Sequence, residues 1–252
     1  MGQSGSSFNF YRKAWHLLGL IVPLFVYVDP IHMIWPEFKH GSRWVGIGLL
    51  SFGTVFLIIV DSIRLHNPSF NRFFINLVGP LMKEEERDRY NGTVPYMFAN
   101  LLLYLFFSNE IVVLSCLFLM IGDPAAAYFG MRFGKTRFFN GKSVEGALGF
   151  MFAGFLACAA FLALHTYLES DSSVFWLYGS QVGPGWWWLA ILLLSSAGAG
   201  IAEFFAVTGF RGLIDDNLIV PLAGCLSLAL LGHAAGLPWS DVLFDPGRLG
   251  NL

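Results

Sequence analysis

Acidic residues occur within or beside several long apolar stretches of this sequence. These residues are Asp61, Asp123, Glu203, Asp215 and Asp216. The amide residue Asn217 directly follows the last of them. A carboxylate inside a membrane is energetically costly, so such residues indicate a functional site or a buried ion pair. Carboxylates that lie near basic residues at one membrane boundary could hold a divalent cation and a polyphosphate, because Mg²⁺ binds one or two carboxylates together with phosphate oxygens and water.

The same acids could instead pair with Arg and Lys residues without binding any ligand. One basic cluster lies within residues 132–142, and a second charged run, Lys-Glu-Glu-Glu-Arg-Asp-Arg, occupies 83–89. By itself, that run is typical of a solvated helix face. The ion-pair interpretation therefore stays open beside the cation and phosphate interpretation.

Small residues recur at helical spacing after Asp123. Ala126, Gly130 and Gly134 follow it at intervals of three and four residues, so on a helix the four side chains form one stripe. A stripe of small residues lets a phosphate or another backbone approach closely. The same pattern is typical of helices that pack together in membranes, so it does not decide between binding and packing.

Two Gly-Lys pairs, at 134–135 and 141–142, suggest a P-loop. That motif requires a glycine five residues before the pair, and these positions hold Phe129 and Thr136. The sequence therefore excludes a P-loop, and any phosphate bound here must be held by another scaffold.

The composition indicates that a membrane positions these residues. Of the 252 residues, 56% are hydrophobic and 13% are charged, against about 25% charged in a typical soluble domain. A hydrocarbon core about 30 Å thick requires about 20 apolar residues per helix. We predict an all-α, polytopic transmembrane bundle that forms one catalytic domain over residues 1–252. Its seven apolar segments are 14–29, 44–61, 94–107, 110–130, 146–168, 186–207 and 217–236, and six spans are the alternative because the third segment is short.

The distribution of basic residues predicts the orientation of the bundle. With the N-terminus inside, alternate loops place twelve Arg and Lys residues in the cytoplasm and only Lys39, Arg43 and Arg248 outside. Cytoplasmic loops carry such an excess of positive charge. We therefore predict a multi-pass protein of the inner, cytoplasmic membrane whose N-terminus, charged segment 62–93 and loop 130–146 face the cytoplasm.

The spacing of the polar residues also resembles a known signature. Asp123-x2-Ala126-x3-Gly130-x3-Gly134, followed by Lys142-x2-Glu145-Gly146, resembles the motif shared by dolichol kinases, phytol kinases and CTP-dependent diacylglycerol kinases. Further matches cover most of residues 11–224. They are the stretch Tyr11 to His16 with Arg12 and Lys13, Arg87-x3-Asn91-Gly92-Thr93, Glu203, and Asp216-Asn217-x3-Pro221.

The resemblance implies phosphoryl transfer from a nucleoside triphosphate, typically CTP, to a membrane alcohol with a divalent cation such as Mg²⁺. It assigns catalytic roles to Asp123, Lys142, Glu203 and Asp216, with Asp123 and Asp216 as the metal ligands. It assigns nucleotide binding to Arg12, Lys13, Gly130, Gly134, Lys135, Lys142, Ser143, Glu145, Gly146 and Asn217. The general base stays open among Asp123, Glu203, Asp216 and His16. Other polar candidates are Asp61, Arg87, Asn91, Thr93 and Asp215.

Two alternatives compete with a lipid kinase. Phosphatidate cytidylyltransferases share the central motif, but their carboxy-terminal signature, a His-Gly-Gly run followed by Asp-Arg-x-Asp, is missing and 209–217 stands in its place. A transporter needs charges near the midplane, whereas these cluster at one face. We therefore favour a lipid kinase. Its acceptor stays open among polyprenols, phytol- or farnesol-type alcohols and diacylglycerol, no nucleic acid partner is expected, and the oligomeric state is not predicted.

Overall fold

The computed structural model describes residues 17–138, 140–168 and 186–244. Within these ranges the chain is helical, and its only β-type pairings are isolated bridges. The predicted all-α class is therefore confirmed. The helices are α1 (Ile21–Val28), α2 (Pro30–Ile34), α3 (Gly41–His66), α4 (Pro68–Val78), α5 (Thr93–Phe106), α6 (Asn109–Phe133), α7 (Val144–Leu168), α8 (Trp187–Phe205), α9 (Asp216–Ala234) and α10 (Trp239–Val242). Short 3₁₀ turns occur at Gly79–Leu81, Glu84–Arg87 and Phe210–Gly212.

Helix α6 is the centre of the bundle. Every residue from Ile111 to Met120 is buried, and so is Gly122. A helix that is apolar on all sides must be surrounded by other helices or by lipid. Here protein surrounds it, because α6 packs against α1, α5, α7, α8 and α9. The end of α6 that carries Asp123 is thereby fixed relative to the N-terminus of α9.

Helix α3 lies at the periphery and presents an apolar face to the outside. Phe52 is 72% exposed, and Leu49, Val55, Phe56 and Ile59 are also exposed. An exposed apolar face that is built from five large side chains marks a membrane or protein contact. Five helices within the described ranges, α3, α6, α7, α8 and α9, are long and apolar enough to cross a membrane, while α5 and the stretch Ile21–Ile34 are shorter.

Each of the seven predicted apolar segments contains a helix in the structure. The polytopic helical bundle is confirmed in this sense. The number of helices that cross the membrane and the side on which the N-terminus lies stay predictions.

The glycine stripe after Asp123 forms the contact between α6 and α7. A Cβ atom on Gly146 would lie 2.8 Å from the carbonyl oxygen of Ala126 and 3.3 Å from the Cα of Gly130. A Cβ on Gly134 would lie 2.8 Å from Ser143 Oγ. These glycines therefore allow the two backbones to approach closely, which is the packing role that small residues have in membrane helices.

Arg43 closes the opposite end of the bundle from the acidic cluster. Its guanidinium is buried and donates to the carbonyl oxygens of Tyr104 and Phe107 and to Asn109 Oδ1. It also lies 3.4 Å from the centre of the Phe244 ring. A cation that binds the last carbonyls of a helix stabilises that helix end, so this buried charge anchors α5 and the segment after α10.

Candidate functional site

A cavity of about 410 Å³ lies at the end of the bundle that contains Asp123. One part of its wall is polar and is formed by Lys83, Glu86, Asn91, Thr93, Asp123, Asp216 and Asn217. Another part is apolar and is formed by Leu18, Ile21, Val22, Leu50, Leu81, Met97 and Met120. Gly19, Gly92, Tyr96 and Asn100 complete the lining. The cavity therefore offers both charged oxygens and apolar surface to a molecule inside it.

The N-terminus of α9 brings Asp216 and Asn217 into the cavity. Asp215 caps this helix, because its Oδ1 accepts from the Asn217 N–H at 2.9 Å and its Oδ2 accepts from Asn217 Nδ2 at 3.2 Å. An acidic residue in the first turn also interacts favourably with the helix dipole. The cap therefore fixes Asp216 and Asn217 in position.

The Asp215 carboxyl group is buried beside a second carboxylate. Burial, the larger cause, and the adjacent charge of Asp216 raise the pKa of Asp215 to about 7, against the opposing effects of Lys83 and Asn217. A cation bound beside Asp216 would favour the charged form of both carboxylates.

Lys83 forms an ion pair with Asp216. Its Nζ lies 3.4 Å from Asp216 Oδ1, and its backbone N–H donates to Glu86 Oε2 at 3.0 Å. Burial alone would lower the pKa of the Lys83 ammonium, but nearby carboxylates outweigh it and raise that pKa above the usual value. In order of effect, these carboxylates belong to Asp216, Asp123, Asp215 and Glu86.

The start of α5 fits closely against α9. Glu86 Oε1 accepts from the Gly92 N–H at 3.3 Å, and Asn91 Oδ1 accepts from the Thr93 N–H at 2.8 Å. A Cβ on Gly92 would lie only 2.7 Å from Asn217 Nδ2 and 3.0 Å from Glu86 Oε1. A larger residue at position 92 would therefore displace the Asn217 amide or the Glu86 carboxylate.

A buried ion pair holds this segment in place. Arg64 Nε lies 2.6 Å from Asp61 Oδ1, and both side chains are almost fully buried. The Arg64 guanidinium also donates to the carbonyl oxygens of Glu86 at 3.0 Å, Arg87 at 3.2 Å and Arg89 at 2.5 Å. Asp61 Oδ2 accepts from the Asn91 N–H at 2.6 Å. Asp61 does not line the cavity, so it positions the segment that does.

The predicted nucleotide loop docks on the end of α8. Lys142 Nζ lies 2.7 Å from Glu203 Oε1 and also donates to the Glu203 carbonyl oxygen. Asn140 Nδ2 donates to the carbonyl oxygen of Phe204 at 2.6 Å. Ser143 Oγ accepts from the Gly146 N–H at 3.0 Å and so caps α7. The ion-pair interpretation therefore describes Glu203 and Asp61 in this structure.

Several predicted site residues lie outside the cavity lining. Lys135 is exposed, Glu145 accepts weakly from the Thr136 N–H at 3.4 Å, and Arg87 is half-exposed and pairs with Glu84 at 3.2 Å. The remaining ones are Asp61, Gly130, Gly134, Lys142, Ser143, Gly146, Glu203 and Asp215. Arg12, Lys13 and His16 lie outside the described residues. The cavity itself brings together five predicted residues, namely Asn91, Thr93, Asp123, Asp216 and Asn217.

The oxygen ligands of the cavity fit a Mg²⁺ ion that is shared with a substrate. Among the described residues, no group of three or more acidic, histidine or cysteine side chains stands ready to hold a metal. Mg²⁺ does not need one, because it commonly uses one or two carboxylates and completes its shell with phosphate oxygens and water. Within the described ranges, three acids line the cavity, and one of them, Glu86, accepts bonds from the N–H groups of Lys83 and Gly92. Asp123 and Asp216 are therefore the acids that would suit this mode.

Sequence reasoning missed Lys83 and Glu86 as cavity residues. Both stand in the charged run 83–89, which predicts a solvated surface, and the other charges of that run are indeed mostly exposed. The available signal was the spacing of Lys83 and Glu86, since an acid three residues into a turn often bonds back to the N–H at its start. Asn100 and Tyr96 were missed because they stand within an apolar segment.

Fold and cavity together define an integral membrane protein with an acidic site at one end of its helical bundle. Among proteins of known name, the CTP-dependent diacylglycerol kinase 1 of Schizosaccharomyces pombe is 29% identical over 187 residues, which cover 73% of this chain and 80% of that protein. The protein of the same name from Saccharomyces cerevisiae is 25% identical over 224 residues, covering 85% and 70%. The one from Eremothecium gossypii is 27% identical over 183 residues, covering 70% and 56%.

No protein-family model and no solved structure matches the chain. The three relatives nevertheless agree with one another and each aligns with most of this chain. These three similarities, at 25–29% identity, support the CTP-dependent lipid kinase family for this chain.

Proposed function

We propose that this protein transfers the γ-phosphoryl group of CTP to the hydroxyl group of diacylglycerol, and that Asp123 and Asp216 would hold a Mg²⁺ ion that supplies positive charge to the reaction. The observation that carries the proposal is the cavity, whose acidic wall and apolar wall suit a cation-bound phosphate and a lipid alcohol in contact. The relatives are CTP-dependent diacylglycerol kinases by name, which supports CTP as the donor and diacylglycerol as the acceptor. Polyprenols and phytol-type alcohols are the alternative acceptors.

In this reaction the lipid hydroxyl oxygen forms a bond to the γ-phosphorus. The bond from that phosphorus to the β,γ-bridging oxygen breaks, CDP leaves with the electron pair, and the hydroxyl proton passes to the base of the site. Such a transfer depends mainly on positioning and charge neutralisation. A Mg²⁺ ion held by Asp123 and Asp216 would supply part of that charge neutralisation.

Each part of the structure has a role in the proposed reaction. Asn217, held by Asp215, would orient the phosphates beside Asp216. The Lys142–Glu203 pair would hold the loop before α7 against α8, so that exposed Lys135 borders the entry of the nucleotide. Arg12 and Lys13 would add positive charge. The base that accepts the proton remains one of Asp123, Glu203, Asp216 and His16.

Labelled CTP tests which phosphorus is attacked. With CTP labelled at the γ-phosphate, the label should appear in the lipid product. With CTP labelled at the α-phosphate, it should remain in water-soluble CDP. The control is a panel of diacylglycerol, phytol and a polyprenol, and the first should be phosphorylated fastest. Transfer of the α-label into lipid with release of pyrophosphate would instead identify a cytidylyltransferase.

The proposed orientation places the cavity at the cytoplasmic face. Thr136 and Lys39 are both exposed, and they lie near opposite ends of the bundle. A cysteine at position 39 should react with an impermeant thiol reagent added to intact cells, whereas one at position 136 should react only after the membrane is opened. The three native cysteines are buried and give little background. The reverse labelling pattern would contradict access of the site to cytosolic CTP.

A further inference from the structure

Lys83 is the only basic residue in the lining of the cavity, among the parts of the chain that the structure describes. Its side chain is 27% exposed, and its Nζ lies 3.4 Å and 3.5 Å from the two carboxylate oxygens of Asp216. Its backbone N–H donates a hydrogen bond to Glu86. The residues that follow it are held by bonds from the Arg64 guanidinium to their carbonyl oxygens, an arrangement that we call the Arg64 clamp. The backbone of Lys83 is therefore held in place at the wall of the cavity.

The Lys83–Asp216 ion pair is loose. A charge-assisted bond between an ammonium and a carboxylate is about 2.7–2.9 Å long, and the Lys142–Glu203 pair, at 2.7 Å, has that length. Lys83 Nζ instead lies almost equally far from both oxygens of Asp216, at 3.4 and 3.5 Å. Such a pair forms no short hydrogen bond, so it can open at little cost in free energy.

The charges around Lys83 indicate what could open the pair. Four carboxylates act on this single ammonium, and they belong to Asp216, Asp123, Asp215 and Glu86. This excess of negative charge repels a nucleotide unless a cation accompanies it. A divalent cation would bind the Asp216 oxygens that Lys83 now faces, so the two positive groups compete for one carboxylate.

We propose that Lys83 and the divalent cation are alternative partners of Asp216, and that Lys83, once displaced, binds the phosphate chain of the nucleotide. This proposal rests on the function proposed above, because it takes a cation-bound nucleotide as the ligand. Lys83 is then a catalytic residue, since it contacts the substrate. The charged run 83–89 contributes to the site through its first residue, while its outer charges remain in solvent.

The Lys83→Gln variant tests both halves of the proposal by binding alone. Loss of one bond to a charged group should weaken CTP binding by about 10- to 100-fold, measured calorimetrically with the cation present. Mn²⁺ binding without nucleotide should become tighter by about 2- to 5-fold, measured by electron paramagnetic resonance of free Mn²⁺, because the competing ammonium is gone. A merely structural lysine would not produce these opposite changes.

The matched control is Lys39→Gln, which removes an exposed lysine at the other end of the bundle and should leave both affinities unchanged. Lys83→Arg keeps the charge and should retain most of the CTP affinity. Unchanged CTP binding in Lys83→Gln, or weaker Mn²⁺ binding in it, would overturn the proposal.

The unmutated protein provides a second test that does not depend on a folded variant. Acetylation of Lys83 by a water-soluble reagent, followed by mass spectrometry, should accelerate when Mn²⁺ is added and slow again when CTP follows. No change on adding Mn²⁺ would overturn the exchange at Asp216. Failure of the wild-type protein to bind or consume CTP would contradict the proposed function, whereas an active wild type with an unresponsive Lys83 would contradict only this inference.

Discussion

The Asp123→Asn variant should remain folded and lose at least about 100- to 1,000-fold in phosphoryl transfer. Asp123 lines the cavity, and its charge acts on Lys83 across it. Asparagine has the same size and retains hydrogen-bonding capacity but cannot supply the negative charge that a cation needs. The measurement is the rate of label transfer from γ-labelled CTP into lipid, together with the thermal unfolding curve in detergent.

Asp241→Asn is the matched control for this variant. Asp241 is exposed in α10, outside the cavity lining, so the same chemical change there should leave both transfer and unfolding unaltered. Near-normal turnover by a well-folded Asp123→Asn protein would contradict the assignment of Asp123 as a metal ligand.

The Arg64→Ala variant should lose about 3–5 kcal/mol of stability, because it leaves the Asp61 carboxylate buried without its partner. It should also lose most of its activity even at temperatures where it is folded. Without Arg64, the carbonyl groups of Glu86, Arg87 and Arg89 lose their shared donor, so the segment that carries Lys83 and Gly92 is no longer held against α9. Chemical unfolding in detergent and the transfer assay measure the two effects.

Arg72→Ala is the control for stability, because Arg72 is an exposed residue of α4 that makes a weak 3.4 Å contact with Ser69. Substitution there should change the free energy of unfolding by no more than about 0.5 kcal/mol. Equal stability losses in the two variants would contradict a specific clamp role for Arg64.

The helices were predictable because a bilayer leaves a strong pattern in a sequence. Each apolar segment of sufficient length must satisfy its backbone internally, and a helix does so. The pattern does not show which helix is surrounded by protein and which by lipid. Helix α6 and helix α3 are similarly apolar, with mean hydropathies of 1.9 and 2.0, yet 61% of the former's span and 22% of the latter's are buried.

The cavity residues were predictable from the family resemblance, as with Asn91 and Thr93, or where an unusual residue stood in an apolar context. Asp123, Asp216 and Asn217 stood out in this way, and all three line the cavity. Lys83 and Glu86 did not, because charges within a charged run look solvated whether or not two of them turn inward. The pairing of Lys142 with Glu203 joins residues 61 positions apart, and no local spacing encodes a contact of that range.

The glycines illustrate a limit of a different kind. Spacings of three and four residues describe a helix face, and a phosphate or a neighbouring backbone can equally occupy such a face. The structure shows Gly130 and Gly146 in contact across α6 and α7. Only the three-dimensional arrangement shows whether a glycine makes room for a phosphate or for a neighbouring helix.

The placement of Asp216 and Asn217 on α9 has a consequence for how the protein is made. Lys83, Asn91 and Asp123 are synthesised first, and their partners at the N-terminus of α9 follow only after α8 has been completed. A ribosome-bound chain that ends before Asp216 can therefore already be inserted through α3, α6, α7 and α8 while its reaction centre is still unassembled. Nascent chains of this length should lie in the membrane without consuming nucleotide. Activity should appear only once α9 has left the ribosome and packed into the bundle.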